Sequence, residues 1–168
     1  MKEKLLPHYL KIGPRRFVIG SVIVLVILDL LNGTYLREFW VKNDMSQKNV
    51  LMIIARMEAQ PTELNPDTLL EVGMLVDQSF AFLLFVILVN NLFFYFFYLR
   101  KKLWAQGYIL FYTLTAALFS AATLFMKDGM GLGWMTFQLV CIPIYSYLYM
   151  GVKLLKAETT LVPEKKGR

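Results

Sequence analysis

The chain has 168 residues, 57% of them hydrophobic and 15% aromatic, and carries a net charge of +6. Soluble domains hold about 45–50% apolar residues, and the excess here is gathered into four long stretches that leave no length for a soluble domain of ordinary size. One cysteine, Cys141, excludes an intrachain disulfide, and with His8 the only histidine a Cys–His nucleophile–base pair is implausible.

Residues 1–16 (MKEKLLPHYLKIGPRR) form a basic leader. Leu5, Leu6, Tyr9, Leu10 and Ile12 are expected to lie in a membrane interface, with the lysines toward headgroups. Residues 17–36 are the first span, apolar but for Asp29. Twenty residues make a helix of about 30 Å, the thickness of a bilayer's hydrocarbon core. The stretch is longer than a signal-peptide core and no small-x-small site follows it, so it reads as a retained span.

Residues 37–77 are the one sizeable segment outside the spans, and acidic residues outnumber basic ones there. A helix is predicted over Met45–Ala59, with Asp44 or Ser46 as its N-cap. Val50, Ile53, Ile54 and Met57 fall on one face, which Leu51, Met52 and Ala55 widen. Gln60-Pro61 ends it, Asn65-Pro66 starts the next helix, and no break follows before Leu99. The segment is therefore expected to be a helical hairpin continuous with the second span, residues 78–99.

That span ends in six aromatic residues, Phe93–Tyr98, followed by Arg100, Lys101 and Lys102. An aromatic anchor and a tight turn are predicted, making spans two and three antiparallel neighbours. The third span is residues 104–126, and Lys127–Gly133 is a glycine-rich turn. The fourth span is residues 134–152; Pro143 is expected to kink it. The tail, 153–168, is polar and expected to fray. Trp40, Trp104 and Trp134 fall at predicted membrane boundaries, as in an aromatic belt.

The basic residues orient the chain. With both termini cytoplasmic, the outer side keeps only Arg37, Lys42, Lys48, Arg56 and Lys127. This satisfies the positive-inside rule, so the net charge reads as topology and attraction to an anionic inner leaflet, not as nucleic-acid binding. The fold class is an all-α integral membrane protein: an antiparallel four-transmembrane-helix bundle with an extracytoplasmic helical hairpin between the first two spans. The expected location is a plasma or inner membrane.

Three patterns bear on function. Asp29, with Asn32 and Gly33 on its face, sits about 4 Å outward of its span's midpoint; Asn90 is about 2 Å inward and Gln138 about 7 Å outward, with Thr115 near the centre. Together they form an expected intramembrane polar layer, either interhelical hydrogen bonding or an ion path. Methionines concentrate on the predicted outer side. Met45, Met52, Ile53, Met57 and Met74 are candidates for contact with a partner. Met126, Met130 and Met135 offer soft ligands that suit Cu(I), but irregular spacing and the lack of a neighbouring histidine or cysteine argue against a metal site. Catalytic motifs such as HExxH, CxxC or GxSxG are absent, and no cofactor is implied. The expected role is non-enzymatic, an accessory, assembly or scaffolding subunit that contacts another membrane protein, or itself, through the outer hairpin. The alternatives are a small ion or proton channel or transporter built on the layer around Asp29, and a lipid- or quinone-binding protein.

Overall fold

The computed structural model describes residues 7, 9, 11–56, 66–125 and 131–161. Among them are five helices and no strand: α1 (Pro14–Lys42), α2 (Met45–Arg56), α3 (Pro66–Leu99), α4 (Leu103–Thr123) and α5 (Leu132–Leu161). All but α2 are long and apolar enough to cross a membrane, which makes this a multi-pass membrane protein. At 1.5 Å per residue α3 is about 50 Å long, well beyond a 30 Å hydrocarbon core. Its start at Pro66 and its unbroken run to Leu99 are as the sequence predicts.

The chain divides into two compact units, Met1–Leu28 with Asn91–Arg168, and Asp29–Asn90. In the first unit the packed positions recur at spacings of three and four. On α1 they are Phe17, Ser21, Leu25 and Leu28. On α4 they are Gln106, Ile109, Thr113, Ser120 and Thr123, and Ala116, partly buried, completes the series. On α5 they are Trp134, Gln138, Cys141, Tyr145, Leu148 and Val152. This is the heptad seam of helices crossing at a shallow angle. Contacts of Gly107 with Lys156 and of Tyr112 with Tyr145 make α4 and α5 antiparallel.

This unit mixes polar residues into its apolar core and turns large apolar ones outward. Ser21, Asn91, Gln106, Thr113, Ser120, Thr123 and Gln138 are buried, while Ile19, Ile23, Phe111, Leu114, Leu118 and Leu139 are exposed. Lipid, not water, is the solvent such a surface suits, and small or polar side chains at helix contacts are how membrane helices associate. Three of the hydroxyls are held by their own helix: Ser21 donates to the Phe17 carbonyl at 2.7 Å, Thr113 to that of Ile109 at 2.7 Å and Thr123 to that of Ser120 at 2.9 Å.

Tyr9 packs inside the protein and is not left open to headgroups. It is buried, and its hydroxyl donates to the Tyr147 carbonyl of α5 at 2.9 Å. Burial pushes the Tyr9 hydroxyl up to about 12, so it stays a neutral donor. Its ring meets Phe17 edge-on at 5.2 Å and lies 5.1 Å from Tyr147. Gly13 makes this return possible: its φ of +84° ends the helical backbone around Tyr9 before Pro14 opens α1. Ile12 also packs on the core; Leu5, Leu6 and Leu10 lie outside the described residues.

The predicted aromatic anchor is a packed cluster between α3 and α4. Phe94 stacks on Tyr108 at 3.6 Å, and Trp104 meets Phe93, Phe94 and Phe97. The turn between these helices is a Schellman motif. The Lys102 N–H donates to the Phe97 carbonyl and the Lys101 N–H to that of Tyr98, with Lys101 at φ +56°. Two expectations for α5 are corrected. The helix does not fray after Val152 but continues to Leu161, residues 162–168 lying outside the described residues, and Trp134 is buried in the seam, not open to lipid. Pro143 sits within the helix and offers no N–H to the Leu139 carbonyl.

Candidate functional site

The residues of the predicted polar layer fall in different surroundings. Asp29 and Asn32 are half-buried on α1, and Asn90 is exposed on α3. Gln138 is wholly buried in the α5 seam, 0% exposed. The Thr115 hydroxyl donates within α4, to the Phe111 carbonyl at 2.9 Å and to that of Tyr112 at 3.0 Å. The adjacent asparagine, Asn91, is the buried one; its side-chain oxygen accepts the Tyr108 hydroxyl. Sequence reasoning missed Asn91, Gln106 and Thr113. The signal that finds the last two is the three–four spacing of small and polar residues along the third span.

The second unit holds a different constellation, where the end of α1, all of α2 and the first half of α3 meet. Alone, a helix of 12 residues is marginal in water, so α2 needs tertiary support. Asp44, at φ +47°, turns the chain out of α1, and its carbonyl accepts the Lys48 N–H at 3.1 Å as α2 begins. Ser46 is not the cap. Its hydroxyl crosses to α3 and donates to the Gly73 carbonyl at 3.0 Å. Val50 and Ile54, one and two turns further on, are the buried face of α2. Ile53, expected beside them, is exposed with Leu51 and Met52; Met57 lies outside the described residues. At 100° per residue, Ile53 stands 100° from Ile54 and 60° from Val50, on the side away from Ile54 and past the edge of the packed stripe.

Trp40 ties α1 to α3. Its indole N–H donates to Asp77 Oδ1 at 2.7 Å, and its ring stacks on Phe80 at 4.0 Å, 9° from parallel. Both the ring and the polar edge of this tryptophan are thus engaged within the protein. The two residues are 37 apart in sequence, and no local pattern announces the pairing.

Between α2 and α3 lies a groove of about 480 Å³, lined by Ser46, Gln47, Val50, Leu51, Leu69, Leu70, Gly73, Met74 and Asp77. Its walls are aliphatic, and Asp77 is its one charged residue. Met74 is half exposed at its edge, whereas Met45 is half-buried. Of the weaker copper candidates, Met135 is half-buried on α5, and Met126 and Met130 lie outside the described residues. Among the described residues no three His, Cys, Asp or Glu side chains come together as metal ligands.

The chain matches no protein-family model, and no curated protein and no solved structure is found similar to it.

Proposed function

We propose that this membrane protein is a non-enzymatic accessory or scaffolding subunit of a membrane complex, and that it meets another membrane protein through the exposed face of α2. One observation carries the reading. α2 is held by the Ser46–Gly73 hydrogen bond and by burial of Val50 and Ile54, yet it presents Leu51, Met52 and Ile53 outward in succession. Apolar side chains exposed around about 200° of a helix held in place are a surface that a partner can cover. A partner covering it must itself be apolar at membrane level, which favours a helix of another membrane protein.

The charge distribution supports cytoplasmic termini, with Arg100, Lys101, Lys102, Lys153 and Lys156 on the inner side and α2 on the outer. On that orientation the four long helices form an antiparallel bundle, and α2 with the start of α3 forms an outer hairpin. An ion or proton path around Asp29 is the competing reading. The buried polar seam favours it, but Thr113 and Thr123 spend their hydroxyls on their own helix, as packing residues do.

A photo-crosslinker at Met52 in native membranes tests the proposal. The expected product joins the chain to a second membrane protein and is lost in Leu51→Asn and Ile53→Asn, while Asp29→Asn leaves it intact. Crosslinks to lipid or to the chain itself alone, or a complex that survives both α2 substitutions, would overturn it.

A further inference from the structure

We propose that the groove between α2 and α3 binds an amphiphilic organic cation, a small ammonium compound with an apolar body. The inference goes beyond the partner-binding reading and does not depend on it. The walls, Val50, Leu51, Leu69, Leu70 and Met74, suit an alkyl or aryl group, and a volume of about 480 Å³ is ample for one.

Asp77 sets the charge. Its Oδ1 accepts the Trp40 indole N–H, a bond that orients the carboxylate without neutralising it, since indole is an uncharged donor. The ion pair found among the described residues is Lys42–Glu38, elsewhere on α1, and no cation of the described chain reaches Asp77 within 4.0 Å. The groove thus joins an apolar wall to one exposed carboxylate that no cation among the described residues pairs. An anion is repelled there, and a neutral apolar body covers the carboxylate without pairing it. A monocation with an apolar body satisfies both parts.

The site is built before a ligand arrives. The Ser46 hydroxyl bridges the two walls through the Gly73 carbonyl, and the Trp40–Phe80 stack fixes the donor that holds Asp77. Such preorganisation lowers the entropic cost of binding.

The test uses the full chain in nanodiscs of neutral lipid, with empty nanodiscs correcting for partitioning. Calorimetric titration compares 4-phenylbutylammonium with the neutral 4-phenylbutanol. Saturable binding is expected, with the ammonium preferred by at least about fivefold, the scale of one accessible charge pair. Asp77→Asn keeps an acceptor for Trp40 and should abolish the preference while sparing the alcohol. Met74→Lys, one turn before Asp77 on α3, supplies a tethered ammonium and should weaken the free one. Equal affinity for cation and alcohol, binding no greater than to empty nanodiscs, or a preference that survives both substitutions would overturn the proposal.

Discussion

Gly151 shows how tightly single residues are set in the first unit. A Cβ built there would stand 2.1 Å from Phe17 Cζ and 2.7 Å from the Tyr9 ring. Neither ring is free to retreat, because Phe17, Tyr9 and Tyr147 pack on one another and the Tyr9 hydroxyl is bonded to the Tyr147 carbonyl. Gly151 is therefore a glycine for space, not for backbone conformation. Gly151→Ala should destabilise the protein by roughly 1–3 kcal/mol, the usual cost of overpacking. The cost should fall when Phe17→Ala has already removed the nearest contact and given the Tyr9 ring room to move, because neighbouring substitutions are not additive. Unfolding of the two single variants and the double variant in micelles measures the coupling; an alanine that costs as much in either background would refute the contact.

At the level of elements, the α3–α4 turn and the α4–α5 seam have different origins. The turn is set locally, by a Schellman motif that places a lysine where glycine is usual. The left-handed conformation costs a side-chain-bearing residue about 1–2 kcal/mol, and glycine's extra freedom in the unfolded chain returns part of that. Lys101→Gly is expected to stabilise the protein by roughly 0.5–1 kcal/mol, read as a higher denaturation midpoint. An unchanged or lower midpoint would mean that the Lys101 side chain compensates for its backbone.

The seam is set by pattern. Alanine, serine and threonine on α4 lie along the contact with the larger Trp134, Gln138 and Tyr145 of α5. Small residues let the two backbones approach, and the large ones fill the space that remains. Beyond the fourth span's end at Val152, Leu154 is buried and Leu155, the next position of the heptad, packs partly buried against the core. Packing extends α5 into a segment whose composition alone reads as a fraying tail.

For the whole molecule, the decisive property is its four long apolar helices, and the prediction at this scale concerns topology. Cys141 is buried in the seam, so a Cys141→Ser background should accept single reporter cysteines without disturbing the fold. In that background Arg100→Cys and Lys153→Cys should react with an impermeant thiol reagent from the cytoplasmic side, and Lys48→Cys only from the opposite side. Labelling of Lys48→Cys and Lys153→Cys from the same side would rule out the proposed orientation.

Much of the architecture is legible in the residues, because it depends on local chemistry. The four long apolar helices, the start of α3 at Pro66 and its continuity to Leu99 follow from hydropathy, capping and the lack of a breaker. The site is another matter. Asp77 reads as one of several acids on an outer segment and Trp40 as a belt residue. Only the fold brings them together across 37 residues and sets a groove beside them. Likewise, periodicity puts Ile53 on the packed face of α2, but contact with α3 selects Val50 and Ile54 and leaves Ile53 outside. Hydropathy is a sum over neighbours in the chain and survives without a tertiary structure. Which face is covered, and which carboxylate meets which ring, depends on neighbours that the chain order does not supply.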